Sequence, residues 1–331
     1  MYGYKQAAEF QSILRKGYLM QILILGAGGI GGYFGARLQE AGGNVTFLVR
    51  PDRAVRLRTE GLRVLSPLGN AHITPHIVSY IESGQTYDVI ILSCKAYDLD
   101  SAIEAVAPAV GPESMLVPLL NGLAHLDVLD FHFGCSTVQG CLAHLAVTLL
   151  KAGEIRHLNQ LNRLVIGSRS LKKSKWLEPF AHLLSEASVE CLISDNIEQD
   201  MWDKFVFIST FAAATCTMRA SIGDILATSN GKDFLSGLLL ECVSVAETYQ
   251  HAPDGGQMMD YRSFLLEPGS LATASMLRDI ENGGRTEGEH VLGDIVSRGT
   301  KKGLDLPLLT LAYNHLQAYE LRRLRNLELP Q

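Results

Sequence analysis

Met20-Gln21-Ile22-Leu23-Ile24-Leu25-Gly26-Ala27-Gly28-Gly29-Ile30-Gly31 runs from a short apolar segment directly into a glycine cluster. Residues 20–25 read as a buried strand, a helix follows the glycines, and residues 44–49 read as a second strand ending at Arg50. Strand, G-x-G-x-x-G turn, helix and strand are the first βαβ unit of a dinucleotide-binding fold. The glycine pattern alone is a weak signal, and the elements on both sides make it a strong one.

Each glycine has a physical reason to be there. Gly26 permits the tight turn off the strand, Gly28 lets backbone approach a pyrophosphate, and Gly31 removes bulk where helix and strand pack. Gly35, one turn further on, permits the same close packing, although an ordinary surface helix position also explains it. The amides that open the helix, over Gly26, Ala27, Gly28, Gly29, Ile30 and Gly31, face a bound phosphate with the help of the helix dipole.

The end of the second strand selects the nucleotide. An acidic residue about 20 positions after the fingerprint binds the ribose hydroxyls of the unphosphorylated cofactor. Here the chain reads Phe47-Leu48-Val49-Arg50-Pro51-Asp52-Arg53. A guanidinium at Arg50 suits a 2′-phosphate, with Arg53 or Arg56 assisting, so the expected cofactor is NADP(H). Asp52 as a hydroxyl-binding acid is the alternative.

Composition narrows the class. The 331 residues suffice for two cores, and 47% hydrophobic with 19% charged residues describes a globular chain. A net charge of −6 argues against a general nucleic-acid binder. The six cysteines stand singly, several within apolar segments (Cys94, Cys141, Cys216, Cys242), so they read as small buried residues in a reducing, cytoplasmic compartment. No metal site is expected. Residues 1–19 lack the apolar run of a signal peptide and read as an N-terminal extension, either an amphipathic helix or residues ahead of a natural start at Met20. The longest apolar run, residues 205–216, is too short and too rich in Ser, Thr and Ala to span a bilayer.

Further strands are expected at 61–64, 72–77, 87–93, 114–118, within 137–149 and 153–166, and at 189–193, with helices at 101–110 and 176–186. Beyond about residue 195 the apolar spacing becomes helical, at 197–216, 221–227, 234–249, 275–282, 290–299 and 308–325. The expected fold is α/β: a Rossmann-type dinucleotide-binding domain over residues 20–194, then an all-helical substrate domain over 195–331. An active site in the cleft between them follows from that architecture.

Several polar residues suit such a site. Lys95 and Asn121-Gly122 each follow a central strand at its carboxyl end, where ligands bind in this fold, although surface charge and tight-turn chemistry also explain them. Lys204, in Trp202-Asp203-Lys204-Phe205, opens a strongly apolar helix. Partial desolvation there would prepare its ammonium to donate a proton, whereas a lysine snorkelling from the helix edge is the plainer reading. Glu287 is placed to orient that ammonium, and Ser275 to bind a substrate carboxylate.

Taken together, Gly26-Ala27-Gly28-Gly29-Ile30-Gly31-Gly32, Ser93-Cys94-Lys95, Leu120-Asn121-Gly122, Trp202-Asp203-Lys204, Ser275-Met276-Leu277-Arg278-Asp279 and Gly284-Arg285-Thr286-Glu287 resemble the ketopantoate reductase (2-dehydropantoate 2-reductase) family, over about residues 20–321. The resemblance implies NADPH-dependent reduction of a small 2-oxo acid to a 2-hydroxy acid, in the family's usual case ketopantoate to pantoate for pantothenate synthesis. It further implies that Lys204 is the general acid and that Asn121 positions nicotinamide and substrate. By the same resemblance Lys95 lines the cofactor region, Glu287 binds the hydroxyl side of the substrate, and Ser275 contacts its carboxylate. Monomer and homodimer both fit.

One departure stands out. The family pattern carries asparagines four and eight residues after the lysine, and here those positions are Ile208 and Ala212. Leaving a buried substrate hydroxyl without a partner costs about 1–3 kcal/mol, so ketopantoate reduction stands as the expected reaction beside that of a family member with an altered pocket, which takes a bulkier or more apolar 2-oxo acid. Rival readings are another two-domain dehydrogenase of the opine or 6-phosphogluconate type, and an NADPH-binding protein without turnover.

Overall fold

The computed structural model describes residues 20–328, and the N-terminal extension lies outside the described residues. The chain divides into two compact units, one formed by residues 20–120 and 128–197, the other by residues 121–127 and 198–328.

The first unit is built on a parallel five-stranded sheet. Its strands are β1 (Gln21–Leu25), β2 (Asn44–Leu48), β5 (His76–Val78), β6 (Tyr87–Leu92) and β7 (Val110–Pro118), in the order β5-β2-β1-β6-β7. The two apolar neighbours of β1 explain its continuous hydrophobic run. Ile22, Ile24, Val89, Ile91, Met115 and Val117 fill one face, and Leu23, Ile90 and Leu116 on the other are equally buried. Helix α1 (Gly29–Glu40) packs against this sheet. A side chain at Gly31 would overlap Ser93, and one at Gly35 would enter the Phe47 ring, so both glycines serve close helix–strand packing.

A second sheet contains β3 (Leu62–Leu65), β4 (Ala71–Ile73), β8 (Gly140–Leu149), β9 (Ile155–Gly167) and β10 (Glu190–Ile193). The single strand expected over 72–77 is two strands here. β4 runs antiparallel to β3, whereas β5 joins β2 in the other sheet, and Thr74-Pro75 separates them. Proline has no amide to donate, so a ladder stops there naturally. Helices α2 (Pro51–Glu60), α3 (Leu99–Val106), α4 (Ala124–Phe133) and α5 (Leu177–Glu186) complete this part of the chain, and α2 and α4 are additions to the expected elements. Arg169 anchors the segment after β9 to α4 through a two-pronged ion pair with Asp130, at 2.8 and 2.9 Å.

The second unit is helical. It holds α6 (Ile197–Met218), α7 (Ile222–Leu226), α8 (Gly231–Thr248), α9 (Gly255–Leu265), α10 (Ser275–Glu281), a π-helical turn at Glu289–Gly293 that runs into α11 (Asp294–Lys301), and α12 (Pro307–Glu328). Among these only α9 was not expected from periodicity. It packs aromatic residues against α6, with Phe264 edge-on to Phe207 at 5.0 Å and to Phe211 at 5.3 Å. No helix among the described residues is long and apolar enough to cross a membrane.

Candidate active site

In the first unit the glycine turn has the shape that a dinucleotide requires. Gly26 has a φ of +92°, and its amide donates to the Leu48 carbonyl at 2.9 Å, which bends the chain off β1 and seats the turn on β2. Ser93, just after β6, donates its hydroxyl to the Leu25 carbonyl at 2.7 Å from the other side. Gly28 caps α1 with no side chain over the helix end, and a Cβ built there would meet nothing within 4 Å. The first amides of α1 therefore open into free space, which is the condition for backbone to cradle a phosphate. These residues fit a dinucleotide.

Lys95 lies two residues beyond Ser93, where it caps the short 3-10 turn Ala96–Asp98. Arg50 stands at the end of β2, 76% exposed, with its guanidinium 3.3 Å from Asp98. Asp52 lies in the first turn of α2, where a carboxylate complements the helix dipole. Arg53 and Arg56 are engaged elsewhere. Arg53 donates to the carbonyls of Ala27 and Gly153 at 3.2 and 3.3 Å, tying the glycine turn to the β8–β9 hairpin. Arg56 donates to Lys151 and Ala152 on the same hairpin. Of the three arginines, Arg50 is the one left facing solvent near the strand end.

The second unit gathers Asn121, Lys204, Ser275 and Glu287. Asn121 follows β7 in the sequence, where position would assign it to the dinucleotide domain, yet residues 121–127 pack with the helices. Lys204 is half-buried in the second turn of α6. Its neighbour Asp203 accepts a hydrogen bond from Gln199 at 2.9 Å, and burial, with Asp200 and Asp254 adding, pushes its carboxyl up to about 6. Phe207 and Phe211 carry the aromatic contact with α9, and Lys204, Ile208 and Ala212 lie about 100° further round the helix. That row continues to Thr215, whose hydroxyl accepts the Ala274 amide at 3.4 Å. Ala274 caps α10, and Ser275, exposed, is its first residue. A row of four residues therefore has polar ends and an apolar middle, with Ser275 moored to its far end.

Glu287 is half-buried in a segment held by α12. Glu320 accepts both the Thr286 amide (2.6 Å) and the Thr286 hydroxyl (2.8 Å), and Tyr319 donates to the Gly284 carbonyl at 2.7 Å. Burial would raise the Glu320 carboxyl, but these hydrogen bonds and Arg323 outweigh it and hold the group below its usual value.

Several neighbours were not singled out by the sequence reading. His125 and His290 stack with ring centroids 5.4 Å apart, and their facing nitrogens are 3.2 Å apart. Arg298 pairs with Asp294 at 2.9 Å and lies 5.7 Å from the ring centres of both Trp202 and Tyr249. Trp202 in turn stacks on His251 at 5.5 Å. The Trp202-Asp203-Lys204 motif is thus braced by aromatic and cationic neighbours from α11 and the segment after α8. Nothing in sequence spacing marks such partners. Among the described residues no three His, Cys, Asp or Glu gather into a metal-holding group.

A parallel sheet with an open glycine cradle, followed by a helical unit that carries a half-buried lysine, defines an NAD(P)-dependent oxidoreductase. The family model described as ketopantoate reductase PanE/ApbA matches residues 22–170, and its C-terminal counterpart matches residues 196–320. The chain belongs to this family. It is 36% identical to an uncharacterised oxidoreductase of Bacillus subtilis, over 91% of this chain and 99% of that one. It is 25% identical to the 2-dehydropantoate 2-reductase of Aquifex aeolicus, over 93% and 99% respectively. Among solved structures, a PanE/ApbA family ketopantoate reductase from Ralstonia eutropha superposes with a TM-score of 0.83 at 24% identity, covering 92% of this chain and all of that one. A D-mandelate dehydrogenase, solved with NADH and anilino(oxo)acetate, has the same fold with a TM-score of 0.82 at 22% identity, covering 92% and 99%.

Proposed function

We propose that this protein reduces a 2-oxo acid to the 2-hydroxy acid with NADPH, and that its substrate carries a bulkier or more apolar side chain than ketopantoate. The observation that carries the reading is the half-buried Lys204 in one compact unit with Asn121, Ser275 and Glu287. When bound, NADPH supplies the hydride. Lys204 gives its proton to the carbonyl oxygen as the carbonyl carbon is reduced, and its ammonium stabilises the developing alkoxide beforehand. Asn121 positions nicotinamide and carbonyl, Glu287 holds the hydroxyl side of the substrate, and Ser275 contacts the carboxylate. Lys95 lines the cofactor region.

Cofactor choice rests on Arg50. Its exposed guanidinium supports 2′-phosphate binding, provided that the phosphate displaces Asp98 from the 3.3 Å pair. Arg53 and Arg56 play no part in this reading, because each already donates to backbone carbonyls. Substrate choice rests on the row of Lys204, Ile208, Ala212 and Thr215. Its apolar middle offers no partner for a side-chain hydroxyl, and it favours branched or aromatic 2-oxo acids over ketopantoate. Thiols that stay free in all six described cysteines favour a reducing compartment such as the cytoplasm.

NADPH oxidation against ketopantoate, branched, aromatic and straight-chain 2-oxo acids tests this. The expected result is turnover strongest with an apolar side chain and reduced ~100- to 10,000-fold in K204A. R50A should lose about 10- to 100-fold in NADPH affinity by fluorescence titration, with NADH affinity little changed. Tight NADPH binding without turnover of any 2-oxo acid would replace this reading with a non-catalytic one.

A further inference from the structure

We propose that His125 and His290 are positioning residues for Asn121, joined as a stacked ring pair that fixes the Asn121–Asp127 segment on the helical unit. The inference rests on the reading of Asn121 as a site residue. It begins from a placement that sequence order does not predict, since these seven residues leave the dinucleotide unit and pack with the helices. The segment buries Leu123 and Leu126, and two polar contacts to the helices add to that packing. One is the exposed Asp127 carboxylate, 3.4 Å from the Arg298 guanidinium, which is worth little in water. The other is buried. His125 has no exposed surface, and its ring stacks on His290 with facing nitrogens at 3.2 Å.

The hydrogen-bond chemistry gives the pair a direction. The Asn121 backbone favours the charged form of the His290 ring, as its carbonyl would when accepting from the ring N–H. A neutral imidazole has one N–H and one lone-pair nitrogen. With its N–H on that carbonyl, His290 accepts at Nε2 from the Nδ1–H of His125. The chain from His125 to His290 to Asn121 then closes a loop, because His125 lies four residues after the carbonyl that is held.

Two features show that the arrangement is specific. Gly122, with a φ of +80°, lies against His290, and a Cβ there would stand 3.2 Å from the His290 carbonyl and 3.4 Å from its ring. The turn after Asn121 therefore needs glycine both for its conformation and for its contact. His290 itself sits in the π-helical turn Glu289–Gly293, three residues beyond Glu287, in a geometry common at functional positions. The pair thus links the segment of Asn121 to the segment of Glu287.

Charged groups surround the rings on every side that matters. Glu287 precedes the π turn, Asp294 and Arg298 lie on α11, and Asp127 lies on α4. Burial foremost, with Arg298, lowers the pKa of the His290 ring, against Glu287, Asp294 and the Asn121 backbone. Protonating His290 would remove the acceptor that faces the Nδ1–H of His125, whereas a protonated His125 would still donate.

The test compares H290F, which removes both ring nitrogens, with H290N, whose amide keeps one donor and one acceptor. His290 is only half-buried, which spares the variants the cost of altering fully buried His125. Two readouts are taken on the full chain: kcat and KM with the best 2-oxo acid, and amide hydrogen exchange over residues 121–127. Expected for H290F are a kcat lowered at least tenfold with the KM for NADPH within twofold, and exchange over 121–127 at least tenfold faster. H290N should recover both to within about threefold of the parent. The proposal is overturned if exchange is unchanged in H290F, if exchange rises with no loss of kcat, or if H290N is as impaired as H290F. Should the parent protein turn over no 2-oxo acid, the functional reading fails separately, and exchange over 121–127 still decides whether the pair holds the segment.

Discussion

Asp203 and Lys204 are adjacent in sequence, carry opposite charge and are both half-buried. The Asp203 carboxyl is pushed up to about 6, well above its ordinary value, chiefly by burial. An acid with a raised pKa in the folded state binds an extra proton there. Its contribution to stability is therefore full below about pH 4 and declines as the pH rises through 6. D203N removes that charge and keeps an acceptor for Gln199. It should raise the thermal midpoint at pH 7.5 and leave it nearly unchanged at pH 4, read by calorimetry at both values. An equal shift at both would show that the carboxylate is not the cause. Lys204, one position on, is singled out in the sequence by its motif, whereas its Trp202, Tyr249, His251 and Arg298 surroundings could not be read there.

Elements succeed or fail here according to how local their causes are. The turn from β1 into α1 was legible because glycines at a strand end report the local geometry they permit. Its packing can be tested directly. G31A places a methyl against Ser93 and the Gly26 carbonyl, which are backbone and short side chain with little room to give. The substitution should cost about 1–3 kcal/mol in urea unfolding and weaken NADPH binding along with it. Helix α12 acts at longer range, through Glu320 on Thr286. Because that carboxyl is held below its usual value, its stabilisation is present above the ordinary carboxylate range and lost as pH falls through the folded value. E320A should lower turnover about tenfold by loosening the Glu287 segment, with a loss of about 1–2 kcal/mol at pH 7. An unchanged turnover in E320A would separate Glu287 from this support. Three helices, α2, α4 and α9, escaped the periodicity reading. The apolar residues of α4 and α9 do not fall on one stripe, and α9 opens on two glycines. The Asp254 cap on the Gln257 amide, at 2.8 Å, was the readable signal for α9.

Taken whole, the molecule buries its thiols as a small-residue core would. Cys141, Cys216 and Cys242 are buried, and burial pushes the last two up to about 12, whereas Cys135 is exposed. In native protein a thiol reagent should label Cys135 within minutes and reach the three buried cysteines only on unfolding. Rapid native labelling of Cys242 would contradict the packing of α8. Composition and patterning along the chain were enough for an α/β half, a helical half, a dinucleotide cradle and a lysine at the start of α6. Each of these follows from residues close together in sequence, where propensity, turn chemistry and periodicity act. The division of residues 72–77 between two sheets, the transfer of Asn121–Asp127 to the helical unit and the meeting of His125 with His290 were not legible in that way. Those features depend on partners 30 to 165 residues away, and the free energy that selects them is packing and hydrogen bonding available only once the chain has folded.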